Sequence, residues 1–347
     1  LERLFTGTTG FFGKILNLKK TRITPLDLKY FDKVRKGEIS YYQLFLKEVD
    51  LYRKLRDMGR IVILRRKKEY KLDDLNKVHF VLSMEGAHAL CRTKIGNPNV
   101  EDQMTSAVVN DPLFEDFRDN PVLTPAESLK HLQQALWVLD MDLFFISLTH
   151  LSHIPEKLLA THAYGMKMLK HDSAYPDGIG ITESGKDLID AAYNLKVRVN
   201  QVEVEAPVLI DIKHMSLKSR IDFYDFRRAK GYKKPIIVSH AAVTGYSIAN
   251  WKSALEKAIF VNDPVTAVKI TVNRKTAGTW GAIHKLFTFN SWSLNLMDED
   301  IEEVINSEGL IGIELDVRVL GWQNVLQDTL SDEDKEEYLS VSEFGWL

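Results

Sequence analysis

Three short apolar runs of this chain end in residues of the types that bind metal ions. Val78-His79-Phe80-Val81-Leu82-Ser83-Met84 leads to Glu85, the run from Pro207 to Lys213 leads to His214, and Pro235-Ile236-Ile237-Val238-Ser239 leads to His240. A fourth run, Leu143-Phe144-Phe145-Ile146-Ser147-Leu148, is followed by Thr149 and His150. Imidazole nitrogens and carboxylate oxygens are usual ligands of zinc and similar divalent ions, and a carboxylate can bridge two ions while each histidine serves one. A bound ion acidifies water and polarises a carbonyl, so such a set suits hydrolysis. One histidine after a strand is more often a hydrogen-bonded structural group. Recurrence at several strand ends is what points to a site.

The elements that must position these residues are strands buried on both faces, which read as continuous apolar runs rather than alternating ones. Further strands are expected at Ile61–Leu64 and Leu310–Leu315. Helical spacing runs through Pro25–Met58, and Thr124-Pro125-Ala126-Glu127 offers a cap, a first-turn proline and an acidic residue for a helix to about Asp140. Helices are also expected from about Ser184 to Val199 and over Asp298–Asn306, with Asp332–Glu337 an acidic, solvated helix or tail. Strands alternating with helices predict an α/β fold, and 347 residues suit a single (β/α)8 TIM-like barrel spanning 1–347. A barrel would converge the four strand ends on one mouth, whereas a doubly wound open sheet would scatter them along a crevice.

Composition narrows the partners. With 45% hydrophobic and 27% charged residues the chain has an ordinary globular make-up, and its formal charge of -2 gives no reason to expect nucleic acid or an anionic membrane. A small-molecule substrate fits better. The single cysteine, Cys91, excludes an intramolecular disulfide and reads as a loop or helix-start thiol rather than a nucleophile. No apolar stretch reaches the ~18 residues of a bilayer span, and no signal segment is visible, so a cytoplasmic location is expected. Arg65-Arg66-Lys67-Lys68 could bind phosphate, but the bland reading is a solvated loop. Gly178 to Gly185 lacks the preceding strand and glycine spacing of a nucleotide loop and reads as a turn into a helix.

Five blocks, in order, resemble the membrane (renal) dipeptidases of the amidohydrolase superfamily. They are Met84-Glu85-Gly86-Ala87-His88, Leu148-Thr149-His150, Gly180-Ile181-Thr182-Glu183-Ser184-Gly185, Leu209 to Ser216 around His214, and Pro235 to His240. The resemblance covers about Val78 to Asp316. It implies a metal-dependent barrel hydrolase holding one or two zinc ions, with Glu85 bridging and His214 and His240 as further ligands. His150 would touch substrate as the catalytic group that steadies the oxyanion while activated water attacks the carbonyl of a dipeptide or N-acyl amino acid. Homodimers are common among such barrels. His88 would buttress the Glu85 loop, His153 and His162 would be structural or solvent-facing, and Lys213 would face away from the metal.

The chain also departs from that family. No His-x-Asp pair precedes Glu85, the family's late aspartate block is not seen, and no arginine precedes Asn295-Leu296-Met297-Asp298-Glu299. Arg274, within the insertion Trp251–Asn290, would replace that arginine or lie on the surface. The expectation is that the family's first and last strands fall outside the displayed chain. The alternative is a catalytically inactive barrel that binds a small molecule or a protein.

Overall fold

The computed structural model describes residues 30, 33–34, 36–71, 76–92, 111–113, 124–151, 159–163, 179–250, 259–262, 267–271, 294–315, 319 and 336–340. His153, Arg274 and most of the Trp251–Asn290 insertion lie outside these residues, as does most of the loop predicted from Gly96 to Pro125. The described residues fall into two compact units, one within Leu1–Ile146 and Asp187–Val208, the other within Ser147–Lys186 and Leu209–Leu347.

In the first unit, helix α1 spans Tyr41–Asp57. Its start is set by Ser40, whose hydroxyl accepts the Gln43 N–H, and basic Lys54 and Arg56 complement the negative end of its dipole. Gly59, at φ 70°, takes the chain out of the helix in a conformation that disfavours any side chain. Strands β1 (Ile61–Ile63) and β2 (Val78–Phe80) pair in parallel, and β3 (Leu82–Glu85) follows after an exposed Val81. Helix α2, Pro125–Val138, carries the predicted capping box, with Thr124 and Glu127 satisfying each other's backbone N–H groups. Its face of Leu129, Leu132 and Leu136 is buried with Met141, Leu143 and Ile146. Removing each such side chain from water contributes roughly 1.5–3 kcal/mol. Gln133 is the polar member of this core: its carbonyl accepts the Leu143 N–H at 3.0 Å, and its amide donates to Asp142 and to the Ala206 carbonyl. Helix and strand β4 (Leu143–Ser147) are thereby fixed in register.

Between the glycine cluster and the third metal-type residue, the expected long helix is shorter. Helix α3 covers Glu183–Tyr193, and Lys196–Val199 (β5) pairs antiparallel with Val202–Glu205 (β6). Asn200 and Gln201 both have positive φ, 48° and 68°, the geometry that lets a two-residue turn follow the strand twist. Alternation in Val197-Arg198-Val199 and Val202-Glu203-Val204 fits strands, and it overrides the helical continuation expected from Leu195 to Val199.

The second unit contains β7 (Leu209–Asp211), α4 (Leu217–Lys230), β8 (Ile236–Ala241), α5 (Asp298–Asn306) and β11 (Leu310–Ile313). Ser216 caps α4 by accepting the Ser219 N–H, and Gly231 ends it in the left-handed conformation. Strands β7 and β8, and β8 and β11, pair in parallel, in a five-stranded sheet of order β11-β8-β7-β4-β3. The fold is therefore mixed α/β with a parallel sheet, as predicted. Among the described residues the sheet has two edges, β3 and β11, and no closed barrel is seen. Edge position explains why two runs predicted as fully buried are not. Strand β3 alternates buried Leu82 and Met84 with exposed Ser83 and Glu85, and Leu310 and Ile313 of β11 are exposed. A separate sheet joins β9 (Ile259–Asn262), β10 (Ala267–Thr271) and β12 (Glu336–Ser340), all antiparallel. Glu336 and Glu337 thus lie in a strand, not in the helix or tail expected of Asp332–Glu337.

The glycine block is structural, as its missing nucleotide-loop spacing implies. A Cβ on Gly185 would stand 2.1 Å from the Leu159 carbonyl oxygen, and Thr182 ties the same segment by donating its hydroxyl to that oxygen at 3.1 Å. Gly185→Ala is expected to destabilise the chain by about 1–3 kcal/mol or more, since a backbone atom must move. Chemical denaturation checks this, and a loss well under about 1 kcal/mol would contradict the close approach.

Candidate metal centre

Strand β7 ends on Asp211, whose side chain is fully buried. Its Oδ1 accepts the Lys213 backbone N–H at 3.0 Å, an Asx-type turn that bends the chain out of the strand. His214 then takes φ 68°, a left-handed conformation rare for a side chain of its size, and is 5% exposed. The bend is held from outside by backbone: Ala163 donates its N–H to the His214 carbonyl at 2.7 Å, and His162 bridges Met215. His162 is itself buried, its Nδ1 2.9 Å from the Ala163 carbonyl oxygen, which is the structural rather than the solvent-facing of the two places expected for it.

Two more imidazoles stand beside His214 in the same unit. The His150 ring, just past β4, lies 4.5 Å from that of His214 between centroids, and the His240 ring of β8 lies 5.1 Å from it. His240 Nδ1 is oriented by the Ser239 hydroxyl at 2.9 Å. Glu85, His150 and His214 each offer a ligand atom, all within 4.8 Å of one another, and this cluster could hold a metal ion. It departs from the expected trio of Glu85, His214 and His240 by one imidazole: His150, assigned to substrate by resemblance, stands at ligand distance, while His240 flanks His214. A carboxylate with neutral imidazoles is the donor chemistry of zinc sites, so the residues fit such an ion, though they do not select it over other divalent metals.

Asp211, Ser147 and Ser239 were not singled out from the sequence. The signal was available: a carboxylate inside an apolar strand is costly unless hydrogen-bonded, so Asp211 had to have donors nearby. Within the basic run, the Arg65 side chain has protein partners. Arg65 stacks on Trp137, 4.4 Å from the ring centroid, and pairs with Asp140, while Glu69 accepts the Arg65 and Arg66 backbone N–H groups. Cys91 is buried at the end of a short 3-10 turn, Ala87–Leu90.

His88 belongs to that same turn, directly after the Glu85–Gly86 bend, and meets the Tyr41 ring edge-on at 5.2 Å. Burial disfavours its charged form and pushes its pKa down to about 4, against the opposing pull of Glu85. The unfolded chain therefore binds a proton near the ordinary value of ~6.5 that the folded chain refuses until pH ~4. Stability is expected to be complete above ~6.5, to decline as pH falls toward ~4 and then to level off with respect to this group. His88→Gln should flatten that decline in denaturation of chelator-treated protein. An unchanged pH profile would show that the ring is not desolvated.

Compared with known protein families and with characterised proteins, the sequence matches none.

Proposed function

We propose that the chain is a metal-dependent hydrolase, dipeptidase-like, that cleaves an amide or peptide bond by directing activated water onto the carbonyl. The observation that carries this reading is the set of ligand atoms on Glu85, His150 and His214 within 4.8 Å, drawn from separate strand ends. Zinc is the proposed metal, and when bound it would supply Lewis acidity and a water acidic enough to react near neutral pH. Glu85 and His214 would hold the ion. His150 and His240 flank His214, one completing the coordination and the other donating a hydrogen bond to the carbonyl oxygen as negative charge develops there. The dipeptidase resemblance gives the second role to His150, and it extends the five-stranded sheet to a (β/α)8 barrel. Dipeptides and N-acyl amino acids are the substrate classes it suggests.

The full chain is expected to retain stoichiometric zinc and to hydrolyse members of these classes. Protein that stays metal-free at micromolar zinc would end the proposal. Zinc bound without any hydrolysis would favour the other reading, a binding module. His150→Ala is expected to lower kcat by about 100-fold or more, and retention of zinc would make His150 the hydrogen-bond donor to the carbonyl oxygen. Loss of the zinc itself would instead make His150 a ligand.

A further inference from the structure

We infer that Asp211 is the positioning residue of the histidine array: its buried carboxylate gathers the three strand ends that present His150, His214 and His240. Asp211 is 0% exposed, and its contacts go to three separate places in the chain. Oδ2 accepts the Ser147 hydroxyl at 2.8 Å, while Oδ1 accepts the backbone N–H groups of Lys213 at 3.0 Å and Ser239 at 3.1 Å. Ser147 closes β4 shortly before His150, Lys213 immediately precedes His214, and Ser239 immediately precedes His240. One side chain therefore sets the spacing of all three imidazoles. Through Ser239 it reaches further, because the hydroxyl of that residue fixes His240 Nδ1.

An apolar residue would suit the core of β7 better than a buried carboxylate, which costs several kcal/mol to desolvate unless its lone pairs are met. Here three donors meet them, and what the arrangement yields is geometry at the site. The prediction about metal rests on the function proposed above. The prediction about imidazole placement does not.

The test compares Asp211→Ala, Asp211→Asn and Ser239→Ala in the full chain. Asparagine keeps an oxygen for the Lys213 and Ser239 N–H groups, and the Ser147 hydroxyl can turn to accept from its amide, so geometry survives while the charge is lost. Two readouts are taken: ring-nitrogen NMR shifts of histidine-labelled, metal-free protein, and affinity for zinc or cobalt alone. In Asp211→Ala the signals of His150, His214 and His240 should move while those of His79 and His131 stay, and metal affinity should fall about 10- to 100-fold. Asp211→Asn should restore both, and Ser239→Ala should displace His240 alone. Unmoved ring signals and unchanged affinity in folded Asp211→Ala would overturn the inference, as would an equal loss in Asp211→Asn. If Asp211→Ala fails to fold, Ser147→Ala decides, because it removes the hydroxyl that Asp211 Oδ2 accepts: an unmoved His150 signal overturns the inference and a moved one supports it. Wild-type protein that binds neither ion removes the proposed function, and the ring signals then judge Asp211 by themselves.

Discussion

His214→Gly is expected to abolish zinc binding yet leave the metal-free chain about 1 kcal/mol more stable than His214→Ala. The ordering follows from the backbone. At φ 68° the residue occupies the left-handed region, where a Cβ meets the following carbonyl oxygen at a cost of roughly 1–2 kcal/mol that glycine escapes. The bend itself does not depend on the imidazole, because it is held by the Ala163 N–H, by Asp211 and by the His162–Met215 bridge. Both variants should therefore fold and both should lose the ion, with affinity falling more than the 10- to 100-fold typical of an outer partner. Keeping a histidine where glycine is easier is the pattern of strain retained at a functional position. Equal denaturation midpoints for the two variants, or zinc affinity unchanged in either, would remove this explanation.

How far the sequence alone carried the reading depends on the range over which each signal acts. Local chemistry was legible: the Thr124–Glu127 capping box and the helix Asp298–Asn306 appear as expected, because caps and helical periodicity are decided by neighbours along the chain. The four strand-end residues were legible for a similar reason, since an apolar run that ends in a ligand-type side chain is visible in one dimension. What failed was decided across strands. Nothing in Val78 to Glu85 announces that the run breaks at Val81, with β2 pairing to β1 and β3 standing at a sheet edge. The Asn200–Gln201 turn lacks the glycine that usually marks a tight hairpin, so a helix was read through it. Asp211 was hidden by its own apolar neighbours, and its donors Ser147 and Ser239 are remote in sequence. His150 is given to substrate by resemblance, and its closeness to the His214 ring is set across the sheet, where the sequence carries no signal.

Asp300→Ala should be the most damaging change outside the histidine array, costing about 3–5 kcal/mol, because it strands a buried guanidinium. Arg220 and Asp300 have side chains only 2% and 0% exposed, and Arg220 Nε donates to Asp300 Oδ1 at 3.0 Å. The same oxygen accepts the Tyr224 hydroxyl at 2.7 Å, and the other accepts the Met297 N–H at 2.8 Å at the start of α5. Burial, followed by the charge of Asp300, holds the Tyr224 phenol well above its ordinary range, so it stays protonated and donates. Arg220 also donates to the Met215 carbonyl at 2.9 Å, directly after His214, which places this ion pair behind the bend that aims the imidazole. Tyr224→Phe, which removes one neutral donor from a charged acceptor, should cost only about 1–2 kcal/mol. Replacing the pair together, Arg220→Met with Asp300→Leu, should be milder than Asp300→Ala alone, since no charge is left buried without its partner. Urea denaturation of the metal-free variants measures all three. If Asp300→Ala stayed within about 1 kcal/mol of wild type, water would have to reach the Arg220 guanidinium.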